Sequence, residues 1–429
     1  MFERRRSQVL LAAVVAAAAS LAPALSAGFG IFEQGSKAMG MAGAFTAQAD
    51  DGSALFHNVA GIAFQRERSF QLGGTAIWIA DSKFRGLAPF PGPSAAGRQT
   101  DAILFPPHFY YVQPLGDAWS FGIGVNTPFG LATEWDDPDA WPGRFVSERA
   151  ELRAFDVFPS VAVRVGDRFA MGVSLVARFS DVELKRRAAA VDPFLNQTVE
   201  IARVVLDSDL ENDFAFNVGL MYRPTDELSI GLSYRDGMSI DYHGKARFTQ
   251  VPTGNQQFDL VVAQSLPFGQ EVPIATTIGF PEMLSLGLAY RFSDELTAEA
   301  DFNWTGWSAF ERLDIDFSSS QVPDVVRGED WKDVWNYRAG VNWRLDDANE
   351  LRFGFVYDQT PQPDKSVSPL LPDATRTGFT FGYGRRGKAT FDVALMFLPF
   401  KKRTTTVSQD LFNGTYDSTI WLLGATVGF

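Results

Sequence analysis

Leu296-Thr297-Ala298-Glu299-Ala300-Asp301-Phe302-Asn303-Trp304-Thr305 alternates without a break. Leu296, Ala298, Ala300, Phe302 and Trp304 share one face. Thr297, Glu299, Asp301, Asn303 and Thr305 share the other. Period two with unlike faces is the signature of a strand lying between an apolar and a polar environment. The next segment repeats it, with Trp335, Tyr337, Ala339, Val341 and Trp343 against Asn336, Arg338, Asn342 and Arg344. Similar dyads run through 169–179, 214–222, 228–234, 284–292, 351–357, 377–383 and 391–397.

The connections separate a membrane barrel from a soluble sandwich. Short polar turns stand at Gly116-Asp117, Gly166-Asp167, Thr225-Asp226, Ser293-Asp294, Asp346-Asp347 and Arg386-Gly387. Longer connections lie at about 81–106, 129–151, 187–210, 249–271, 317–330, 361–372 and 406–413. Six short and seven long connections in strict alternation join fourteen strands. A sandwich has no reason to sort its loops by length, whereas outer-membrane barrels carry short periplasmic turns and long outer loops. The sequence therefore predicts an all-β fold, a 14-stranded antiparallel transmembrane β-barrel. Its last strand ends on Trp421, Leu423, Ala425, Val427 and Phe429, the type of terminus that barrel-assembly machinery reads.

The chain divides into three parts. Residues 1–26 read as a signal peptide: Arg4-Arg5-Arg6, an apolar run from Val9, then Ala24-Leu25-Ser26 with small residues where signal peptidase reads. Residues 27–65 do not alternate, and Phe32–Ala49 is rich in Ala, Gly and Met, which suits short helices. With the first strand starting near Ser69, this stretch is expected inside the barrel as a partly helical hatch, the alternative being a periplasmic tail. Residues 66–429 form the barrel. Gly40 and Gly43 do not make a phosphate loop, since no strand precedes them and no Lys-Ser/Thr follows.

Composition fits this class. Phe 38, Trp 10 and Tyr 10 supply aromatic girdles, and a net charge of −13 argues against nucleic acid as a partner. There is no cysteine, and the three histidines, His57, His108 and His243, lie on separate segments with no Gly-x-Ser-x-Gly elbow. Neither a thiolate metal site nor a catalytic triad is suggested, so no cofactor and no enzyme activity are expected.

Several stretches in order resemble the FadL-type long-chain fatty acid transporters, which include TodX-like aromatic hydrocarbon channels. Ala27-Gly28-Phe29 is similar to the family's mature N-terminus, and 49–63 to its hatch signature of paired acids followed by Asn-Pro-Ala. Phe129-Gly130-Leu131-Ala132-Thr133-Glu134-Trp135 and Trp141-Pro142-Gly143-Arg144-Phe145 resemble its third loop. Ser233-Tyr234-Arg235, Pro281-Glu282-Met283, Trp331-Lys332-Asp333, Asp358-Gln359-Thr360-Pro361 and Leu371-Pro372-Asp373 follow in register with later motifs. The likeness spans essentially the whole mature chain. Val59 departs from it, standing where the family usually has Pro and leaving φ unfixed in the hatch turn Asn58-Val59-Ala60.

The resemblance implies passive uptake of a long-chain fatty acid or another hydrophobic small molecule, by loop capture, a pocket at the hatch tip Phe29, and lateral exit beside a kinked third strand. Pro128 lacks a ladder donor and the glycines pack nothing, so Gly124–Gly130 should pair poorly, with the kink around Gly124–Asn126. Phe129, Leu131, Trp135, Trp141 and Phe145 are the expected capture surface, faced by Val191, Phe194, Leu195, Val199, Ile201 and Val204. A carboxylate is best met by Arg. Arg327 falls at one basic family position, Lys185 or Arg186 at a second, and Asp358 at an acidic one near the hatch, with Arg352 or Arg376 as its structural partner. A one-residue ambiguity between Lys185 and Arg186 decides which points inward. Outer-membrane lipid and lipopolysaccharide are the expected surroundings. An uptake channel for neutral aromatic hydrocarbons and a general aqueous porin are the competing readings.

Overall fold

The computed structural model describes residues 28–429. The segment read as a signal peptide lies outside them. From Ser69 onward the chain forms one closed antiparallel sheet of fourteen wall strands. They are β1 (Ser69–Gly86), β2 (Pro107–Leu115), β3 (Trp119–Glu134), β4 (Arg149–Val165) and β5 (Phe169–Asp192). β6 (Gln197–Ser208 and Glu211–Tyr222), β7 (Leu228–Arg235 and Met238–Gln250) and β8 (Glu271–Phe280 and Met283–Arg291) are each interrupted once. So are β9 (Leu296–Thr305 and Arg312–Phe317) and β10 (Val325–Gly328 and Val334–Arg344). β11 (Asn349–Asp358), β12 (Arg376–Arg385), β13 (Thr390–Pro399) and β14 (Gly414–Gly428) complete the wall. β14 pairs with β1 from Gln71↔Gly428 to Gly86↔Gly414, and the terminal Phe429 exchanges both backbone hydrogen bonds with Phe70. Closure leaves no free edge at the seam between the first and last strands.

The alternation is realised inside out. Phe302 and Leu286 are exposed on the wall, whereas Glu299, Asp301, Asn303 and Thr305 are buried in the lumen. Outward apolar side chains need lipid, and inward charges need partners. The lumen provides them: Arg352 bridges Glu350 and Asp392 at 2.5 and 2.7 Å, and Arg178 forks onto Asp156 with two contacts of 2.8 Å. No helix among the described residues is long and apolar enough to cross a membrane, and crossing is by strands.

Residues 28–65 fill the lumen, through α1 (Ser36–Gly40), α2 (Ala54–His57) and a 3-10 turn, Val59–Phe64. Wall carboxylates hold the turn between the helices. Asp301 Oδ2 accepts from the backbone of Phe45 and Thr46 and from Thr46 Oγ1, at 2.7–3.0 Å. Glu299 accepts from Ala47 N, Gln48 N and Gln48 Nε2, at 2.6–3.1 Å. The hatch backbone can come this close because ladder partners Gly231 and Gly287 have no side chain. A Cβ on Gly231 would stand 2.1 Å from Thr46 O.

Several sequence expectations shift. The connection expected at about 187–210 is largely strand, because β5 and the outer part of β6 pair on to Asp192↔Gln197, and the one expected at about 129–151 is shortened, because β3 runs on to Glu134 and β4 starts at Arg149. The connection holding Trp135, Trp141 and Phe145 follows β3, so it is the second outer loop rather than the third. The one between β7 and β8 carries α3 (Gln256–Ser265).

Candidate functional site

β3 loses one neighbour partway up. With β2 it pairs from Leu115↔Trp119 to Phe109↔Val125 and no further. Contact on that side resumes only at the Gln99↔Trp135 bridge and the hydrogen bond from Thr100 N to Glu134 O. Between them the wall has a window, bordered by 126–133 on β3 and 101–108 on the other side. On its β4 side β3 stays paired, except that Thr127 and Pro128 stand opposite the single Phe155. That bulge is where a proline without an N–H is tolerated. The break therefore begins at Asn126, not at Gly124. Gly124 is fully paired, and its missing side chain makes room for the Phe158 ring, 2.3 Å from where a Cβ would be.

The hatch arm occupies the inner side of this window. Ile31 N donates to Pro128 O and Gly130 N to Phe29 O, both at 2.7 Å, and Gln34 Nε2 donates to Thr127 O at 2.7 Å. The arm thus behaves as a short added strand on the edge that β2 has left. Phe29 is buried at the arm's tip. Its ring is 4.7 Å from Trp307, 5.3 Å from Phe310, 5.8 Å from Phe280 and Trp331, and 6.1 Å from Phe129. Trp307, Phe310 and Trp331 come from the excursions that interrupt β9 and β10. Neither their convergence nor Phe280 follows from strand periodicity.

Above Phe29 lies an almost wholly apolar cavity of ≈ 70 Å³, lined by Leu131, Leu152, Ile278, Phe310 and Leu371 among others. It opens into a vestibule of ≈ 400 Å³ under the outer loops, lined by Phe145, Lys185, Arg186, Arg327 and Asp410. Leu184, Leu206, Leu313, Ile315 and Leu370 line both.

The candidate cations differ in how much of their charge is already matched. Arg327 is held by Glu329 and Asp410, each at 2.5 Å, and donates to Ser366 O as well. Lys185 pairs with Glu183 at 3.0 Å. Arg186 lines the vestibule and has no ion-pair partner among the described residues. Asp358 is buried, 3.6 Å from Arg376, which also holds Asp373. It does not line the vestibule or the apolar cavity.

The expected capture surface is only partly a surface. Trp135 and Trp141 are buried, stacked at 4.0 Å with an interplanar angle of 8°, and each indole N–H is used by a backbone carbonyl, of Pro369 and Ser147. They form a packed support for the loop, and Trp135 also borders a recess lined by Thr100, Glu148 and Arg187. Leu131 lines the apolar cavity and Phe145 the vestibule, while Val191, Phe194 and Leu195 are exposed at the β5–β6 hairpin. In the hatch turn, Asn58 donates to Thr46 O at 2.8 Å and Leu220 O at 3.1 Å and accepts from Ala60 N at 3.2 Å. Val59, next to it, is buried at the start of the 3-10 turn.

A closed barrel with an apolar exterior, a polar lumen, a bound plug and an apolar cavity beneath its outer loops belongs to the outer-membrane channel class. The family model for the outer membrane protein transport proteins (OMPP1/FadL/TodX) matches residues 15–429. The chain is a member of that family, a family of transport proteins of the bacterial outer membrane. It is 25% identical to the long-chain fatty acid transport protein of Escherichia coli O6:H1, over 97% of both chains. It is 24% identical to outer membrane protein P1 of Haemophilus influenzae, over 93% of this chain and 91% of that one. Among solved structures, a Pseudomonas aeruginosa FadL homologue superposes with a TM-score of 0.79 at 21% identity, covering 94% of this chain and 99% of the other. The Pseudomonas putida toluene transporter TodX does so at 0.66 and 18%, covering 88% and 93%.

Proposed function

We propose that this protein takes up long-chain fatty acids, or amphiphiles like them, passively across the outer membrane. A carboxylate is met in the vestibule by Arg186 with Lys185 beside it, and the tail enters the apolar cavity above Phe29. Displacement of the hatch arm then opens the window between β2 and β3, and the ligand leaves sideways into the lipid. The observation that carries this reading is the stacking of a basic vestibule directly on an apolar cavity, with five residues lining both. The relatives named for fatty acid transport are consistent with it.

Arg327 has a lesser role than its position suggested, because two carboxylates already neutralise it. That pairing favours a second reading, in which the ligand is a neutral aromatic hydrocarbon. Uptake of labelled oleate, methyl oleate and toluene by cells lacking their own transporter separates the two. Preference for oleate over its methyl ester supports the first reading. Equal uptake of both, with rapid uptake of toluene, favours the second. A large steady conductance in a planar bilayer would overturn both in favour of an aqueous porin.

A further inference from the structure

Behind the kink, on the far side of Phe129 from the apolar cavity, lies a second cavity of ≈ 20 Å³, room for about one or two water molecules. Asn126, Pro128 and Phe129 of β3 form one side of it, and Arg178 and Arg235 bring positive charge to the other. The two arginines are not equivalent. Arg178 is matched by the bidentate Asp156 and stands against the rings of Phe129 and Phe280, 4.3 and 4.8 Å from their centroids. Arg235 has no carboxylate within ion-pair distance among the described residues. It rests on the Phe56 ring, 3.2 Å from its centroid, and gives one hydrogen bond to Phe56 O. The remaining N–H groups of its guanidinium have no protein acceptor among the described residues. Asp236 lines the same cavity and accepts from Tyr234. Asn126 uses its amide N–H on Tyr110, leaving its buried Oδ1 without a donor.

Arg235 is half-buried among aromatic rings, Asp156 acts on it across the cavity without an ion-pair contact, and a partly desolvated guanidinium so placed attracts a further anion. Its place fits such an anion. Phe29 borders the apolar cavity, Phe129 borders this one, and the two rings are neighbours, 6.1 Å apart and tilted by 58°. A fatty acid passing from one to the other must bring its head group through a lumen where a bare carboxylate is poorly solvated. We infer that Arg235 is a second carboxylate-binding residue, on the window side of the Phe29–Phe129 partition. It meets the head group after the vestibule has released it and before the ligand reaches lipid. This rests on the fatty acid reading above.

The test compares Arg235→Gln and Arg235→Lys with the unaltered protein. Rates are measured for labelled oleate and methyl oleate uptake by cells expressing each full chain, and oleate affinity on purified protein by quenching of tryptophan fluorescence with brominated oleate. Arg235→Gln is expected to slow oleate uptake about tenfold, about 1.4 kcal/mol, with oleate affinity within twofold and methyl oleate uptake unchanged. Arg235→Lys should recover at least half of the oleate rate. Equal slowing of acid and ester would mean that Arg235 only holds Phe56 in place, and overturns the inference. So would an unchanged oleate rate, or loss of oleate affinity in Arg235→Gln. Failure of the fatty acid reading itself shows differently, as no uptake of oleate by the unaltered protein above empty cells, and overturns both.

Discussion

The carbonyl of Phe29 accepts the backbone N–H of Gly130 at 2.7 Å, so the tip of the plug completes a wall strand that its neighbour has abandoned. Opening the wall and moving the plug's tip are therefore one event. Each backbone group freed in an apolar setting costs about 1–3 kcal/mol, and a ligand must replace that loss with its own burial.

Because Gly30 and Phe129 are direct bridge partners and the chain has no cysteine, a Gly30→Cys/Phe129→Cys pair offers a reversible staple. Oxidised, it is expected to cut fatty acid uptake at least tenfold, with recovery on reduction. Uptake that is indifferent to oxidation state would show that the arm need not leave β3.

Phe29→Ala removes the ring around which Trp307, Phe310 and Trp331 pack. A buried Phe-to-Ala change costs about 3–5 kcal/mol. Local opening of the arm should become at least a hundredfold more frequent. Hydrogen exchange at Ile31 and Gly130, followed by mass spectrometry of the peptides that contain them, measures this. Unaltered protection would mean that the arm is held by its backbone alone.

Asp301 and Glu299 together accept six hydrogen bonds from the plug. Replacing both by Ala should release the plug as a body and give large, frequent openings in a planar bilayer, where the unaltered protein is expected to be nearly silent. A silent double variant would shift the anchoring role to the bond from Asn58 to Leu220 O on the wall and to Arg338 and Thr380, which hold Ala42 O and Gly40 O.

His57 is buried in the plug against Phe45 and Phe56, and desolvation, with Arg235 nearby, pushes its pKa down to about 3. A depressed histidine favours the folded plug fully above its ordinary value near 6.5. That contribution is lost as pH falls from there toward 3. Hydrogen exchange in 53–61 should rise between pH 7.5 and pH 5, after correction for intrinsic rates. His57→Gln should flatten this pH dependence; a plug equally protected at both pH values in the unaltered protein contradicts it.

The barrel was legible because each strand carries its own period, so that Leu296–Thr305 announces its two faces without reference to a neighbour. The kink was legible in kind, and of the residues expected to form it Asn126 and Pro128 stand at the break while Gly124 does not. Glycines suggested Gly124, yet that glycine only accommodates Phe158, and the disruption comes from the Thr127-Pro128 bulge. The site was less legible for a related reason. Arg327 carries a charge that sequence can see, but Glu329 and Asp410, which neutralise it, are brought there by folding. Trp135 and Trp141 looked like exposed grease because nothing local shows that they stack on each other. Arg178 was hidden as an ordinary member of a polar strand face, and Arg235, though part of the family-like Ser233-Tyr234-Arg235, carried no assigned role.

Leu184, Leu206, Leu313, Ile315 and Leu370 belong at once to the vestibule and to the cavity beneath it. A long aliphatic chain can therefore keep methylenes on both sides of that boundary while it advances, trading about 0.8 kcal/mol per carbon from one lining to the other. It never has to shed all its contacts at a single instant. On the proposed uptake route a short amphiphile would have to let go before it takes hold again, and selection for length would follow from the kinetics of that handover.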